Sequence, residues 1–262
     1  MFANAVKAEL RKFFTTRLWW GMGLGVLVAA LAFTALSALF LTDPEFAKRS
    51  GIEQDAASLA QNVYSSGIQI AYVLTLAIGV MSIGSEYRHK TITGTFLANP
   101  RRPQVMLAKV VSLLGIGAFY GLVSLIGSVS VGATILAMRG YAAFPDASVF
   151  RTMGLMLLVL GLWALIWLGA GILIPNQVAA LMIGVGSAFV VEPILQLILL
   201  NYEWGRSMLR FFPGVATSTV LSPSAPPGMS LLPWWGGALV LVGYAALMSG
   251  VGTLLTTRRD IS

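Results

Sequence analysis

The sequence predicts an all-α membrane protein with six transmembrane helices. Of its 262 residues, 57% are hydrophobic and only 10% are charged, whereas soluble domains carry about 25% charged residues. The apolar residues also fall in long runs, and a helix needs about 20 of them to cross the roughly 30 Å hydrocarbon core of a bilayer. Because backbone groups in hydrocarbon must be hydrogen-bonded within the protein, each run is interpreted as a helix.

Six stretches meet this length, and together they fill most of the chain. They are residues 18–41, 65–84, 110–138, 152–174, 178–200 and 232–256. Basic residues precede the first stretch, as in a signal peptide, but an apolar run of about 24 residues exceeds the 7–15 of a signal sequence. We therefore expect it to be a retained membrane helix, and residues 1–262 to form a single transmembrane domain.

The distribution of lysine and arginine predicts the orientation, because these residues are enriched in cytoplasmic loops. With the N-terminus inside, eleven of the 17 basic residues lie in inner segments and six in outer ones. The membrane thus explains the net charge of +7 better than nucleic acid does. We expect a multi-pass protein of the cell membrane, with the bilayer as a partner and both termini in the cytoplasm.

Two segments outside the spans have a distinct pattern. Residues 2–17 place Val6, Leu10, Phe13 and Phe14 on one helical face, which is typical of an interfacial helix; the alternative is an extension of the first span. Residues 201–231 are too apolar for a linker, and their prolines break any span. This segment is expected to be re-entrant or interfacial on the outer face, since broken backbone in a membrane must be shielded by protein.

Motifs for catalysis or cofactor binding are missing from the sequence. It contains no P-loop, no HExxH, no GxSxG and no cysteine, and its single histidine, His89, lies between two basic residues. We therefore expect no enzymatic activity, no metal site and no cofactor bound by this chain. Two GxxxG spacings, Gly21/Gly25 and Gly117/Gly121, carry little weight, because about three would arise by chance among 28 glycines.

Glu192 is an acid within the fifth span. It lies about 14 residues from the predicted inner end of that span, or roughly 21 Å into the membrane. Acids at such depth are costly and usually face a bundle interior or water. Glu192 and Gln196, one turn later, are thus candidates for a substrate path. The alternatives are a structural hydrogen bond to a neighbouring helix, or a helix that ends early and leaves Glu192 at the interface.

The segment GSEYRHKTITGTFLANPRRP, within residues 84–103, interrupts the apolar pattern after the second span. Its apolar residues predict a short amphipathic helix over 87–98 that presents Phe96 and Leu97 and ends before Pro100. Arg101, Arg102 and Lys109 are expected to bind lipid phosphates. A basic loop that only sets topology is the alternative, but exposed apolar residues indicate a docking surface.

In these features the chain resembles the membrane subunit of type-2 ATP-binding-cassette transporters, the ABC-2 permease family. The resemblance is carried by the amphipathic ELRKFFTTR segment, the six spans, the proline-broken outer segment, and by Glu86, Gly94-Thr95, Pro100-Arg101 and Lys109. It extends over nearly the whole chain, and the arrangement is more specific than any single residue.

The resemblance implies an exporter built from two permeases and two separate ATPase subunits, which bind the ATP. Residues 85–104 would be the coupling segment that docks on the ATPase, with Glu86, Gly94, Thr95, Pro100 and Arg101 in that role. Our own interpretation adds Phe96 and Leu97 as docking residues, and Glu192 with Gln196 as path residues at the permease interface. A secondary transporter, which usually shows more intramembrane charges and an inverted repeat, and a scaffold subunit are the alternatives.

Overall fold

The computed structural model describes residues 2–46, 55–98, 101–174, 176–222 and 229–258, and all regular structure in these ranges is helical. The helices, in chain order, are α1 (Phe2–Phe14), α2 (Leu18–Leu41), α3 (Ala56–Ser65), α4 (Ile68–Arg88), α5 (Ile92–Ala98), α6 (Arg102–Met138), α7 (Ala147–Leu173), α8 (Gln177–Gly186), α9 (Glu192–Leu199), α10 (Glu203–Leu209), α11 (Pro213–Leu221) and α12 (Trp234–Arg258). A π-helical turn, Ser187–Val191, joins α8 to α9.

The prediction of an all-α chain with six spans is confirmed. Within the described ranges, six helical stretches are long and apolar enough to cross a membrane: Leu18–Leu41, Ala56–Arg88, Arg102–Met138, Ala147–Leu173, Gln177–Leu199 and Trp234–Leu255. The first has the predicted bounds. The N-terminal helix is also present, although α1 ends at Phe14 rather than at residue 17.

The second stretch begins about nine residues earlier than predicted, because α3 precedes α4. Polar residues such as Gln61 obscure α3 in the hydrophobic pattern of the sequence. In the structure Gln61 is hydrogen-bonded within the protein, because its Nε2 donates to Ser148 Oγ at 2.7 Å. The Asp55 side chain accepts the backbone N–H of Ser58 and so caps the helix. Buried polar groups that are hydrogen-bonded in this way do not prevent a helix from packing in a core.

Helix α7 lies at the centre of the bundle and packs against α4, α6 and α12. Its Trp163 stacks on Tyr72 of α4 with 4.1 Å between ring centroids. Small residues allow the backbones to approach closely: a Cβ on Gly79 of α4 would lie 2.1 Å from the Ala164 carbonyl oxygen, and one on Gly117 of α6 would lie 2.3 Å from the Gly161 Cα. Such contacts are typical of helix association in membranes.

The fifth and sixth spans lie at the periphery of this bundle. Only 11% of the fifth span and 17% of the sixth are buried within the chain, against 78% of the central fourth span. Their outward apolar side chains are therefore available to lipid or to another protein chain.

The segment between the fifth and sixth spans contains two short helices, α10 and α11, and residues 223–228 of the predicted 201–231 segment lie outside the described residues. Helix α11 is buried against α7 and α12. Thr217 of α11 accepts a hydrogen bond from Trp163 Nε1 at 2.9 Å. The broken backbone is thus shielded by protein, while its depth in a membrane stays a prediction.

Candidate functional site

Four charged side chains meet at the end of the bundle where α1 and α5 lie. We call Glu9, Lys12, Glu86 and Lys109 the charged cluster. Lys109 Nζ lies 2.7 Å from Glu9 Oε2 and 2.8 Å from Glu86 Oε1. Lys12 Nζ lies 2.7 Å from Glu9 Oε1 and 2.8 Å from Glu86 Oε1. The cluster joins α1 to α4 and α6, which are far apart in the sequence.

The burial of the charged cluster shows why these residues occur together. The Lys109 side chain is 1% exposed and that of Glu86 is 8% exposed, whereas Lys12 is 48% exposed. A buried charge needs a partner of opposite sign and hydrogen bonds to its polar atoms. Two ammonium groups and two carboxylates give every member of the cluster a partner of opposite sign, and the formal charges of the cluster sum to zero.

The groups contributed by α1 have shifted pKa values. Burial alone would raise the pKa of Glu9, but the neighbouring ammonium groups of Lys109 and Lys12 outweigh it and hold the pKa below the usual value of a glutamate. Burial alone would lower the pKa of Lys12, but hydrogen bonds to Glu86 and Glu9 outweigh it and raise the pKa. Both groups are therefore ionised at neutral pH.

The structure contradicts the expectation that Lys109 binds lipid phosphates, because the side chain is 1% exposed. Its side chain points into the protein because α6 begins at Arg102, so that Lys109 lies two turns inside the helix and next to Glu86. Glu86 and Lys109 both belong to the sequence pattern that carries the family resemblance, whereas Glu9 and Lys12 were not predicted as site residues. Their i, i+3 spacing on α1 was the available signal.

Helix α5 presents one of the two predicted docking residues. Leu97 is 78% exposed, whereas Phe96 is 7% exposed, with the Arg102 guanidinium 5.3 Å from its ring centroid. The expectation that Phe96 projects from the surface is therefore wrong. The chain turns at Lys90, which has a φ of 54°, so α5 begins at Ile92, and Ile92 and Phe96, four residues apart, both face the bundle.

The remaining predicted coupling residues lie around α5. Gly94 is exposed, and a Cβ there would meet no atom within 4 Å. Thr95 is half-buried, and its hydroxyl donates to the Thr91 carbonyl at 3.2 Å. Arg101 is exposed at the N-terminus of α6, and Pro100 lies outside the described residues. Glu86, by contrast, is buried inside the charged cluster and is only 6% exposed.

A cavity of about 440 Å³ adjoins the charged cluster. It lies among α1, the start of α2, α4, α5 and α6, and we call it the α1 cavity. All four members of the charged cluster line it, together with apolar side chains such as Phe13, Met81 and Ile116. Its volume is within the range of small-molecule sites, which are commonly about 300–1,000 Å³.

Glu192 lies at the opposite end of the bundle, where it binds the start of α11. Its Oε1 accepts the backbone N–H groups of Gly214 at 2.7 Å and Val215 at 3.2 Å. Gln196 Nε2 lies 3.5 Å from the same oxygen. Helix α9 continues from Glu192 to Leu199, so the fifth span does not end early. The geometry thus agrees with the structural hydrogen bond, and a role in a substrate path stays a prediction.

Removal of this carboxylate is expected to destabilise the fold around α11. In Glu192→Ala, two N–H groups at the start of α11 lose their acceptor, which costs about 1–3 kcal/mol, whereas Glu192→Gln retains a carbonyl oxygen and costs less. The midpoint of thermal unfolding in detergent measures the effect. Glu203→Ala, an exposed acid in α10, is the matched control, and equal midpoints for Glu192→Ala and Glu203→Ala would contradict the assignment.

No protein-family model matches the chain, and no curated protein matches it. Within the described ranges, no group of three or more histidine, cysteine, aspartate or glutamate side chains is placed to hold a metal ion. The charged cluster, α5 and the arrangement of the spans are the features of the chain that bear on its function.

Proposed function

We propose that the chain is the permease subunit of an ATP-driven exporter of the ABC type-2 class, in which a separate ATPase subunit docks on α5. The exposed position of Leu97 carries this proposal. In this proposal α5 and both termini lie in the cytoplasm of a cell, as the distribution of basic residues favours.

Helix α5 is suited to docking because it is short and anchored. Ile92 and Phe96 fix one face against the bundle, and Leu97 then projects a large apolar side chain from the other. Gly94 leaves open space beside it, which would let the surface of a partner approach closely. An apolar side chain so exposed between charged residues favours a protein partner over a purely topological loop.

The charged cluster gives a route by which a force on α5 would reach the spans. Residue Thr91 precedes α5 directly, and its N–H donates to the Glu86 carbonyl at 3.0 Å. Glu86 in turn binds Lys109 of α6 and Lys12 of α1. We infer that Glu86 contributes to coupling by positioning these helices. Thr95, within α5, and Arg101, which directly precedes α6, are the further candidate coupling residues.

The sequence has no P-loop, which is consistent with ATP bound by the partner rather than by this chain. The sparsely buried fifth span is the surface on which a second permease, either another copy or a paralogue, would pack. Glu192 and Gln196 belong to that span, and we keep them as candidate path residues at the permease interface.

Replacement of Leu97 tests the docking. We expect Leu97→Asp to abolish co-purification with an ABC ATPase and to reduce ATP-dependent transport by at least about tenfold, because a buried apolar contact becomes a buried charge. The permease is co-expressed with ATPase subunits from the same genome, and complex formation is measured by affinity purification. Phe96→Asp is not suitable, because Phe96 anchors α5 and its loss would displace the helix.

The control is Thr93→Asp, because Thr93 is an exposed neighbour on α5. This change adds the same charge without removing an apolar side chain, and we expect it to retain more complex than Leu97→Asp. A complex that survives Leu97→Asp unchanged would contradict the docking.

Because the chain has no cysteine, Thr93→Cys also reports orientation, and its labelling from outside intact cells would contradict the proposed topology.

A further inference from the structure

The α1 cavity has a polar side and an apolar side. Its polar side is the charged cluster, with Lys12 and Thr16 exposed at the rim. The apolar side comes from several helices and includes Phe13, Met81 and Ile116. A cavity with this lining fits an amphiphilic molecule better than a wholly polar or wholly apolar one.

Within the described residues, the hydrogen bonds of the charged cluster leave one N–H donor and one carboxylate oxygen unused. An ammonium group has three N–H donors. Lys109 uses three, on Glu9 Oε2, Glu86 Oε1 and the Ser82 carbonyl at 3.3 Å, whereas Lys12 uses two. Among the carboxylate oxygens, Glu86 Oε2 is buried and has no hydrogen-bond partner within the described part of the chain.

We propose that the α1 cavity binds a phospholipid whose headgroup carries a primary ammonium group, with phosphatidylethanolamine as the lipid to test. The lipid phosphate would accept the third N–H of Lys12, and its ammonium would donate to Glu86 Oε2. The acyl chains would lie on the apolar side of the cavity. This binding goes beyond the proposed export function and does not require an ATPase partner.

Charge and hydrogen bonding select this headgroup among the common ones. The cluster is neutral overall, so a zwitterionic headgroup adds no net charge to a buried site, whereas an anionic one would. Choline carries a positive charge but has no N–H, so it would leave Glu86 Oε2 without a donor. Phosphoethanolamine in water has the same polar groups but no chains to bury on the apolar side.

Native mass spectrometry of the purified full-length chain in detergent measures this selectivity. Phosphatidylethanolamine, phosphatidylcholine and phosphatidylglycerol with identical acyl chains are added at equal concentration. We expect one phosphatidylethanolamine to be retained roughly tenfold more often than phosphatidylcholine or phosphatidylglycerol, the lower end of the range for one hydrogen bond to a charged group. Water-soluble phosphoethanolamine should not be retained. Equal retention of the three lipids would overturn the proposal, and retention of phosphoethanolamine would show a free phosphate ester site instead of a lipid site.

Variants at the cavity locate the lipid. Lys12→Gln should lower phosphatidylethanolamine retention roughly tenfold, whereas Lys7→Gln, an exposed residue of the same helix that does not line the cavity, should not. Met81→Trp fills the apolar side, leaves every member of the charged cluster in place, and should also reduce retention. Unchanged retention in Met81→Trp would place the lipid elsewhere and overturn the proposal, even if Lys12→Gln failed to fold.

Discussion

The Lys109→Met substitution is expected to abolish most of the yield of correctly folded protein. The substitution removes the ammonium that binds both Glu9 and Glu86 and leaves two carboxylates in a buried site with Lys12 alone. Loss of one partner from a buried ion pair costs about 3–5 kcal/mol, against a total stability of about 5–15 kcal/mol for a typical domain. The yield of monodisperse protein and the unfolding midpoint in detergent measure the loss.

Two further variants separate the charge effect from a simple loss of packing. Lys7→Met removes an exposed lysine of α1 and should change the midpoint little. The double variant Glu86→Leu/Lys109→Met removes a carboxylate together with the ammonium, so it should be more stable than Lys109→Met alone. A Lys109→Met midpoint equal to that of Lys7→Met would contradict the assigned role of the charged cluster.

The sequence predicted the spans well because the physical requirement for them is local. About 20 consecutive apolar residues are needed whatever the neighbours are, and the first span was predicted with the bounds of α2. Helix α3 was missed because the polarity of Gln61 is compensated by a contact with α7, which a local pattern does not contain.

The candidate site was predictable only in part, because it depends on contacts between distant segments. The sequence located the segment that contains Glu86, Thr95 and Leu97, but the direction of each side chain depends on where α5 begins. The positive φ of Lys90 shifts that start to Ile92 and turns Phe96 inward. Similarly, no local pattern shows that Glu9 lies 2.7 Å from Lys109, because the two residues are 100 positions apart along the chain.

The close contacts of the glycine residues could not be predicted from the sequence either. In the GxxxG spacing Gly117/Gly121, both positions face α7 at short distance, whereas Gly21 has open space around it. The two motifs cannot be distinguished in the sequence. Gly79 belongs to neither motif, yet its hypothetical Cβ makes the shortest contact described for any glycine of the chain. The motif records a spacing, and only the packing shows which helix faces are in contact.

Gly79→Leu is therefore expected to disrupt the centre of the bundle. A Cβ at this position would lie 2.1 Å from the Ala164 carbonyl oxygen and 3.0 Å from its carbon, and these are backbone atoms that cannot move without shifting α7. Overpacking of a core costs about 1–3 kcal/mol and occasionally more, and we expect about 3 kcal/mol because the clash is with backbone. The stacking of Tyr72 on Trp163, beside Ala164, should also be lost.

Unfolding midpoints and near-ultraviolet circular dichroism measure these two effects in the same sample. Gly115→Leu on α6 is the matched control, because a Cβ there meets no atom within 4 Å, so the added side chain should be tolerated and the aromatic signal retained. If Gly79→Leu kept the midpoint and the aromatic signal of Gly115→Leu, α4 and α7 could not approach as closely as described. The central position of α7 would then have to be abandoned, because the packing of α4 on α7 is the most extensive helix contact in the bundle.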